Sequence, residues 1–413
     1  MQTSIDKPKL DDDMKSESFA ASFVIQGFVC LVVLDLLLRF LGTAGYLGFN
    51  PLRVSHRSWV YWNEREFLLD AKASKQKPLN TALFGSSLMM SALHGGDAVY
   101  LNKPQNVTLH HKSQLFKDLV EKRSGKSDNN FAFALGGEMV SDAYILFKGM
   151  LEQGQGCRPE KLIYGIAPRD FMDHALPSVT STEIYRYMRR VTDLAEIEKQ
   201  ARTSPTEKLE LWLSKLSYIY QHREEFLYLQ SRYAKFICRK LLGAGDLDLV
   251  HAPMHIRKQA FLELPEDSAP NEVIVTPPVG PEPYVDNSSE YRNRYRKYRE
   301  YQFAEQLGYL EKLLQLAKAN NTEVILVNMP LTQANMNLMP SGFYQNYYNR
   351  VENLARLNGA RLLDLNDQKL FPIEYFGDGV HMNTRGGKRF FEVLVDKLFQ
   401  TEKAPRPEIK PAT

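Results

Sequence analysis

The chain has 413 residues, 44% hydrophobic and 24% charged, so most of it is globular rather than disordered or collagen-like. Its 52 basic and 49 acidic residues leave a formal charge of +3, and that near-balance gives no reason to expect nucleic acid as a partner. Three cysteines (Cys30, Cys157, Cys238) are too few for a disulfide scaffold or a cysteine-rich metal site, and a mean hydropathy of −0.37 excludes a polytopic membrane protein.

A polar, Asp-rich tail covers residues 1–18. Residues 19–41, FAASFVIQGFVCLVVLDLLLRFL, are long enough to cross a hydrocarbon core, which takes about 20 apolar residues. The run is longer than that of a signal peptide and lacks a good cleavage site, so an uncleaved single-pass anchor is expected. Asp35 inside it suggests either a protein partner within the bilayer or an i, i+4 pair with Arg39 near the interface. Charge does not set the topology, because Lys7, Lys9 and Lys15 before the run balance Arg39, Arg53 and Arg57 at its end and beyond. Residues 42–78 read as a juxtamembrane connector, whose Trp59-Val60-Tyr61-Trp62 suits a membrane interface or packing onto the domain.

From residue 79 the pattern becomes α/β. Short apolar runs at 81–84, 131–135, 162–166, 324–327 and 361–365 are each bounded by turn residues, as buried parallel strands are. Helical stretches at 139–153, 341–357 and 383–399 alternate with them, which predicts a parallel sheet with helices on both faces. Ligands of such sheets bind at the carboxyl ends of the strands. Roughly 150 residues separate the third and fourth strands, far beyond a normal connection, so an insertion is expected. Within it, 181–243 is helical, 264–287 is Pro-rich and extended, and 288–319 is helical again. YRNRYRKYREYQF (291–303) puts Tyr291, Tyr295 and Tyr298 on one helical stripe and Arg292, Arg296 and Arg299 on the next. That pattern fits a surface for polyanions, sugars or lipid head groups, or an amphipathic helix that buries its tyrosines. The organisation expected is a first core half at 79–170, an insertion at 171–300, a second core half at 301–401 and a disordered tail at 402–413.

Two segments carry candidate chemistry. Gly85-Ser86-Ser87-Leu88 stands where a strand becomes a helix, beside helix N-terminal amides that stabilise an oxyanion. A serine there is equally a helix cap. Asp378-Gly379-Val380-His381 precedes the last helix. A serine needs a base to take its proton and a carboxylate to orient that base, and Asp and His three apart supply both. No P-loop, dinucleotide fingerprint or H-E-x-x-H is present, and no carboxylate or cysteine pattern supports a metal at His94, His110 and His111, so neither metal nor cofactor is expected.

These segments resemble the SGNH (GDSL-like) hydrolase superfamily. FGSSLMMSAL (84–93) resembles its first block, with Ser87 at the nucleophile position and Ser86 where many members have Asp. FALGGEMVSDAY (133–144) resembles the second, whose glycine donates a backbone N–H to the oxyanion; Gly136 or Gly137 fits. FGDGVHMNTRGGKRFF (376–391) resembles the last, with Asp378 and His381 in the triad. The third block departs: GIAPRDF (165–171) has Arg169 where many members have an oxyanion-hole Asn. That arginine either stabilises an oxyanion, grips an anionic substrate, or pairs with Asp170 or Asp173.

The resemblance implies an SGNH-like, flavodoxin-like three-layer parallel sheet over 79–170 and 300–399. The anchor, the G-S-S and VILVNMPL (324–331) look more similar to DltD-like proteins, which implies a membrane-anchored serine acyltransferase or esterase with its catalytic domain outside the cytoplasm. The partners so implied are the bilayer, a membrane-bound O-acyltransferase and an envelope polysaccharide or teichoic-acid-like polymer. The alternatives are a free-standing carbohydrate or lipid esterase and a non-catalytic envelope scaffold.

Overall fold

The structure, a computed structural model, describes residues 23–44, 63, 67, 79–154, 157–189, 191–200, 205–223, 226 and 273–402. The polar tail, the Trp59–Trp62 run, Pro265, Pro270 and the C-terminal tail from residue 403 onward lie outside the described residues, while Glu402 ends the last helix.

An apolar helix α1 (Phe23–Thr43) comes first; by length and composition it passes as a membrane span or a signal sequence. Then follow β1 (Thr81–Gly85), α2 (Ser87–Leu101), β2 (Gln105–Asn106), α3 (Gln114–Ser124), β3 (Asn130–Ala134), α4 (Val140–Glu152) and β4 (Lys161–Ile166). The long connection carries α5 (Glu183–Met188), α6 (Ala195–Gln200), α7 (Pro205–Leu216), α8 (Tyr218–Gln221), β5 (Ile274–Val275) and α9 (Ser288–Tyr295). The chain continues with α10 (Glu300–Ala319), β6 (Glu323–Asn328), α11 (Gln333–Met336), α12 (Phe343–Asn358), β7 (Arg361–Asp364) and α13 (Thr384–Glu402).

Each of the five apolar runs is a strand of one parallel sheet, ordered β3-β1-β4-β6-β7. Counting these five strands along the chain, the order is 2-1-3-4-5, the flavodoxin-like doubly wound arrangement. TALFG of β1 and NFAFA of β3 are buried at every position, because helices cover both faces and leave no side for polar alternation. On one face α13 packs on α2 and α3; on the other α10 packs on α4 and α12. Phe84, Phe133 and Phe147 meet through tilted and edge-on contacts at the centre of this core.

The helix pair α2–α13 is in backbone contact. A Cβ at Gly387 would run into the Ala92 carbonyl and the Gly96 nitrogen, so only glycine permits this approach. The extended stretch expected at 264–287 is seen from 273 onward, where β5 pairs antiparallel with β2. Neither of these two-residue strands, nor α3, is foreseen from the apolar pattern, since two residues carry no period and α3 buries only Leu115 and Phe116.

Candidate active site

Ser87 is the first residue of α2, directly after β1. The turn between them depends on Gly85. Its φ is 154°, and a Cβ there would lie 2.9 Å from the Gly165 carbonyl oxygen, so a side chain is excluded. β1 lies between β3 and β4, where the strand order reverses, so Ser87 sits at the crevice such sheets use for ligands.

His381 Nε2 lies 2.8 Å from Ser87 Oγ, and His381 Nδ1 lies 2.7 Å from Asp378 Oδ2. An ionised Asp378 only accepts, so Nδ1 carries the proton and Nε2 faces the serine hydroxyl as acceptor. Asp378 Oδ1 also accepts from Val380 N (2.9 Å) and His381 N (2.8 Å). Burial works against its ionisation, but the His381 side chain and these two N–H groups outweigh it and hold the carboxyl below its ordinary value. Both side chains are partly exposed, His381 at 30% and Asp378 at 22%, so the site is open to an incoming ligand.

The Asp378 loop is held from three directions. Gly379 N donates to Asn287 Oδ1 (3.0 Å), Thr332 Oγ1 donates to the Gly379 carbonyl (2.8 Å), and Val285 N donates to the Gly377 carbonyl (2.8 Å). Behind it, Tyr295 Oη donates to Asn335 Oδ1 (3.0 Å). Residues 285–295, assigned from sequence to an insertion, are therefore part of the support of the Asp–His loop. Tyr291 and Tyr295 are only 4% and 2% exposed and Tyr298 is half-buried against the core, so the tyrosine stripe packs inward and is not an exposed recognition surface.

Gly136 is exposed and Gly137 half-buried in the loop after β3. Among the described residues neither backbone N–H has a hydrogen-bond acceptor, which leaves them available as donors.

Arg169 differs from the expectation that it completes an oxyanion hole. Its Nε (3.0 Å) and Nη2 (2.9 Å) bind Asp173 Oδ2, its Nη1 donates to the Glu138 carbonyl (2.7 Å) and toward Asp170 Oδ1 (3.4 Å), and its Nη2 donates to the Gly137 carbonyl (3.2 Å). The guanidinium thus makes four hydrogen bonds, through Nε, Nη1 and Nη2, and its Nη2 also lies within ion-pair distance of Asp173. The cause is burial: at 5% exposure the cation needs its partners, and Asp173, four residues on and fully buried, is the nearest carboxylate. Arg169 is a clamp that fixes two successive peptide planes of the 136–139 loop.

Beneath that loop lies a cluster of buried carboxyls invisible to sequence reasoning. Glu138 has neither oxygen hydrogen-bonded, and burial, with Asp142 and Asp170 nearby, pushes its carboxyl well up. Burial also raises Asp142 to about 7 and Asp170 to about 6, against hydrogen bonds from Thr182 and Met139 in the first and Arg169 in the second. The buried Ser86 hydroxyl lies against Asp170 without a well-formed hydrogen bond. The histidines near residue 110 are structural: Asp97 binds His110 Nε2, Ser113 Oγ and the amides of Gln114 and Leu115.

A family model described as a protein of unknown function (DUF1574) matches residues 281–398, a span that begins at the segment bracing the Asp378 loop. No curated protein matches the sequence. Solved structures that resemble the chain include a GDSL-like lipase from Bacteroides thetaiotaomicron (11% identity, TM-score 0.34, covering 84% of this chain and 100% of that one). Another is the acetyl xylan esterase AlAXEase (11% identity, TM-score 0.32, covering 78% of this chain and 98% of that one).

Proposed function

We propose that this chain is a membrane-anchored serine esterase or acyltransferase of the SGNH type. The observation that carries the reading is the continuous Ser87–His381–Asp378 hydrogen-bond chain at 2.8 and 2.7 Å. Ser87 Oγ attacks an acyl carbonyl as His381 Nε2 takes its proton, and Asp378 holds the imidazolium that forms. The negative charge on the carbonyl oxygen is met by backbone N–H groups at Ser87 and at Gly136 or Gly137. His381 then protonates the departing alcohol, leaving an acyl-serine. In the second half a water or an acceptor hydroxyl gives its proton to His381 and takes the acyl group, restoring Ser87.

The anchor reading is supported by the length and apolarity of α1. The resemblance to DltD-like proteins favours transfer to a cell-envelope polymer outside the cytoplasm, beside a membrane-bound O-acyltransferase. The partly exposed triad equally admits water, which is the chemistry of a free-standing esterase.

The test is fluorophosphonate labelling of the full chain, combined with hydrolysis of short p-nitrophenyl esters. Labelling at Ser87 and ester turnover are expected, both lost in Ser87→Ala and His381→Ala. A folded chain that neither labels nor turns over ester would make it a non-catalytic scaffold. Acyl transfer is separated from hydrolysis by adding sugar or polyol acceptors and measuring the ester formed.

A further inference from the structure

Among the side chains of α1, a single one is buried: Asp35. What buries it is a short stretch inside the insertion. Ser217 Oγ donates to Asp35 Oδ1 (2.6 Å), as does Ile219 N (2.8 Å), and Tyr218 N donates to Oδ2 (3.0 Å). One turn further along, Arg39 Nη2 donates to the Leu216 carbonyl (2.5 Å) and lies 4.0 Å from Asp35. Next on the same stripe, Gly42 leaves room for Tyr218, whose hydroxyl occupies the space a Cβ would take. Asp35, Arg39 and Gly42 follow i, i+4, i+7, so one face of α1 is built to receive residues 216–219. The partner of the intramembrane carboxylate is this chain itself, with Arg39 as a distant second.

The level of this contact is fixed by helix geometry. Asp35 lies eight residues before Thr43, about 12 Å along the axis, and Gly42 lies at the helix end. Residues 216–219 therefore sit beside the last two turns of α1. The helix leading into them, α7, carries an apolar stripe that no described residue covers: Leu209, Trp212 and Leu216 are 54%, 57% and 57% exposed. Its other side faces the domain, with Leu211 packed against the core, Ser214 buried, and Glu207 accepting from Ser178 and Thr180. Interfacial helices place such a stripe about 5–10 Å into the boundary between headgroups and acyl chains, with tryptophan at that boundary.

We propose that residues 205–221 are a second membrane element, lying in one leaflet beside α1 with Leu209, Trp212 and Leu216 among the acyl chains. This rests on α1 being a membrane span. The occupant of the apolar stripe is phospholipid, because the stripe is continuous with the lipid-facing surface of α1 through the Asp35 and Arg39 contacts. The element ties the domain flat to the bilayer instead of leaving it on a single tether.

The experiment uses the full chain in phosphatidylcholine vesicles containing a phospholipid with a photoactivatable group on its acyl chain. Crosslinked peptides are mapped by mass spectrometry. Crosslinks are expected in both 23–43 and 205–216. Crosslinks in 23–43 but none in 205–216 would overturn the second element alone, and would mean that the stripe docks a protein absent from the vesicles. Crosslinks in neither would remove the anchor reading together with this one. Asp35→Leu keeps α1 apolar and inserted while removing the acceptor of three hydrogen bonds. It is expected to keep the 23–43 crosslinks and lose at least half of those in 205–216; an unchanged map would overturn the Asp35 tether.

Discussion

On one flank of Ser87 stand His381 and Asp378, partly exposed, with the carboxyl held below its ordinary value by hydrogen bonds. On the other flank, under the Gly136–Gly137 loop, stand Glu138, Asp142, Asp170 and Arg169, all buried, with the three carboxyls pushed up. In the proposed chemistry the first flank handles a proton that moves, since His381 takes it from Ser87 and passes it to the leaving alcohol while Asp378 stays ionised. The second is built for a loop that stays still, since a buried cation hydrogen-bonded to two successive carbonyls locks the backbone it grips. A buried charge near a candidate site is therefore as much a mark of positioning as of catalysis.

The largest effects are expected on the first flank. Asp378→Asn should lower kcat by about 10⁴-fold, because the wrong tautomer then faces Ser87, with little change in Tm. An Asp378→Asn variant with near-native turnover would show that the hydrogen-bond chain is not the working one. Next comes Arg169. Arg169→Ala leaves the buried Asp173 with Arg294 as its remaining cation among the described residues and frees the 137–138 carbonyls, so a loss of about 3–5 kcal/mol in stability is expected. A parallel fall of about 10²-fold in kcat follows from loop misplacement, equal for neutral and anionic esters. Selective loss on anionic esters would restore a substrate-binding role.

The contrast in proton affinity gives a third test. Asp142 and Asp170 bind protons more tightly in the folded chain, at about 7 and about 6, than at their ordinary value of 3.8. The free energy of unfolding from these groups therefore falls as pH rises from about 4 through about 7. Thermal melts across that range should show Tm dropping by roughly 5 °C, and Asp142→Asn should flatten the drop. Smallest is Tyr295→Phe, which removes one hydrogen bond to Asn335 behind the Asp378 loop. About 1 kcal/mol of stability and a few-fold in kcat are expected to go, measurable by denaturant melts and steady-state kinetics.

The sheet was legible because its strands are apolar on both sides and flanked by turns. The apolar runs at 81–84, 131–135, 162–166, 324–327 and 361–365 are β1, β3, β4, β6 and β7 within a residue or two at their ends. Ser87 and the Asp378–His381 pair were legible as positions on that frame, one after its first strand and one before its last helix. The Arg169 pairing with Asp173 was readable as one of several options, because i, i+4 contact depends on a local helical turn, and Pro168–Phe171 forms one. What lay beyond reading were the contacts that the insertion makes when it folds back. Nothing in the sequence joins Asn287 to Gly379, Arg294 to Asp173, or Asp35 to Ser217, since these depend on how the insertion folds back over the core.

The glycine-to-glycine crossing of α2 and α13 has a consequence for the order of events during synthesis. Ser87 and His381 are 294 residues apart, and their approach is set by helices at opposite ends of the domain. At a translation rate of about 5–20 residues per second, the serine emerges roughly 15–60 s before its base. On the proposed chemistry, the Ser87 hydroxyl is an ordinary alcohol until α13 docks. A nascent chain is thus chemically silent toward esters around the ribosome, and a product truncated ahead of α13 carries a serine whose base has no seat.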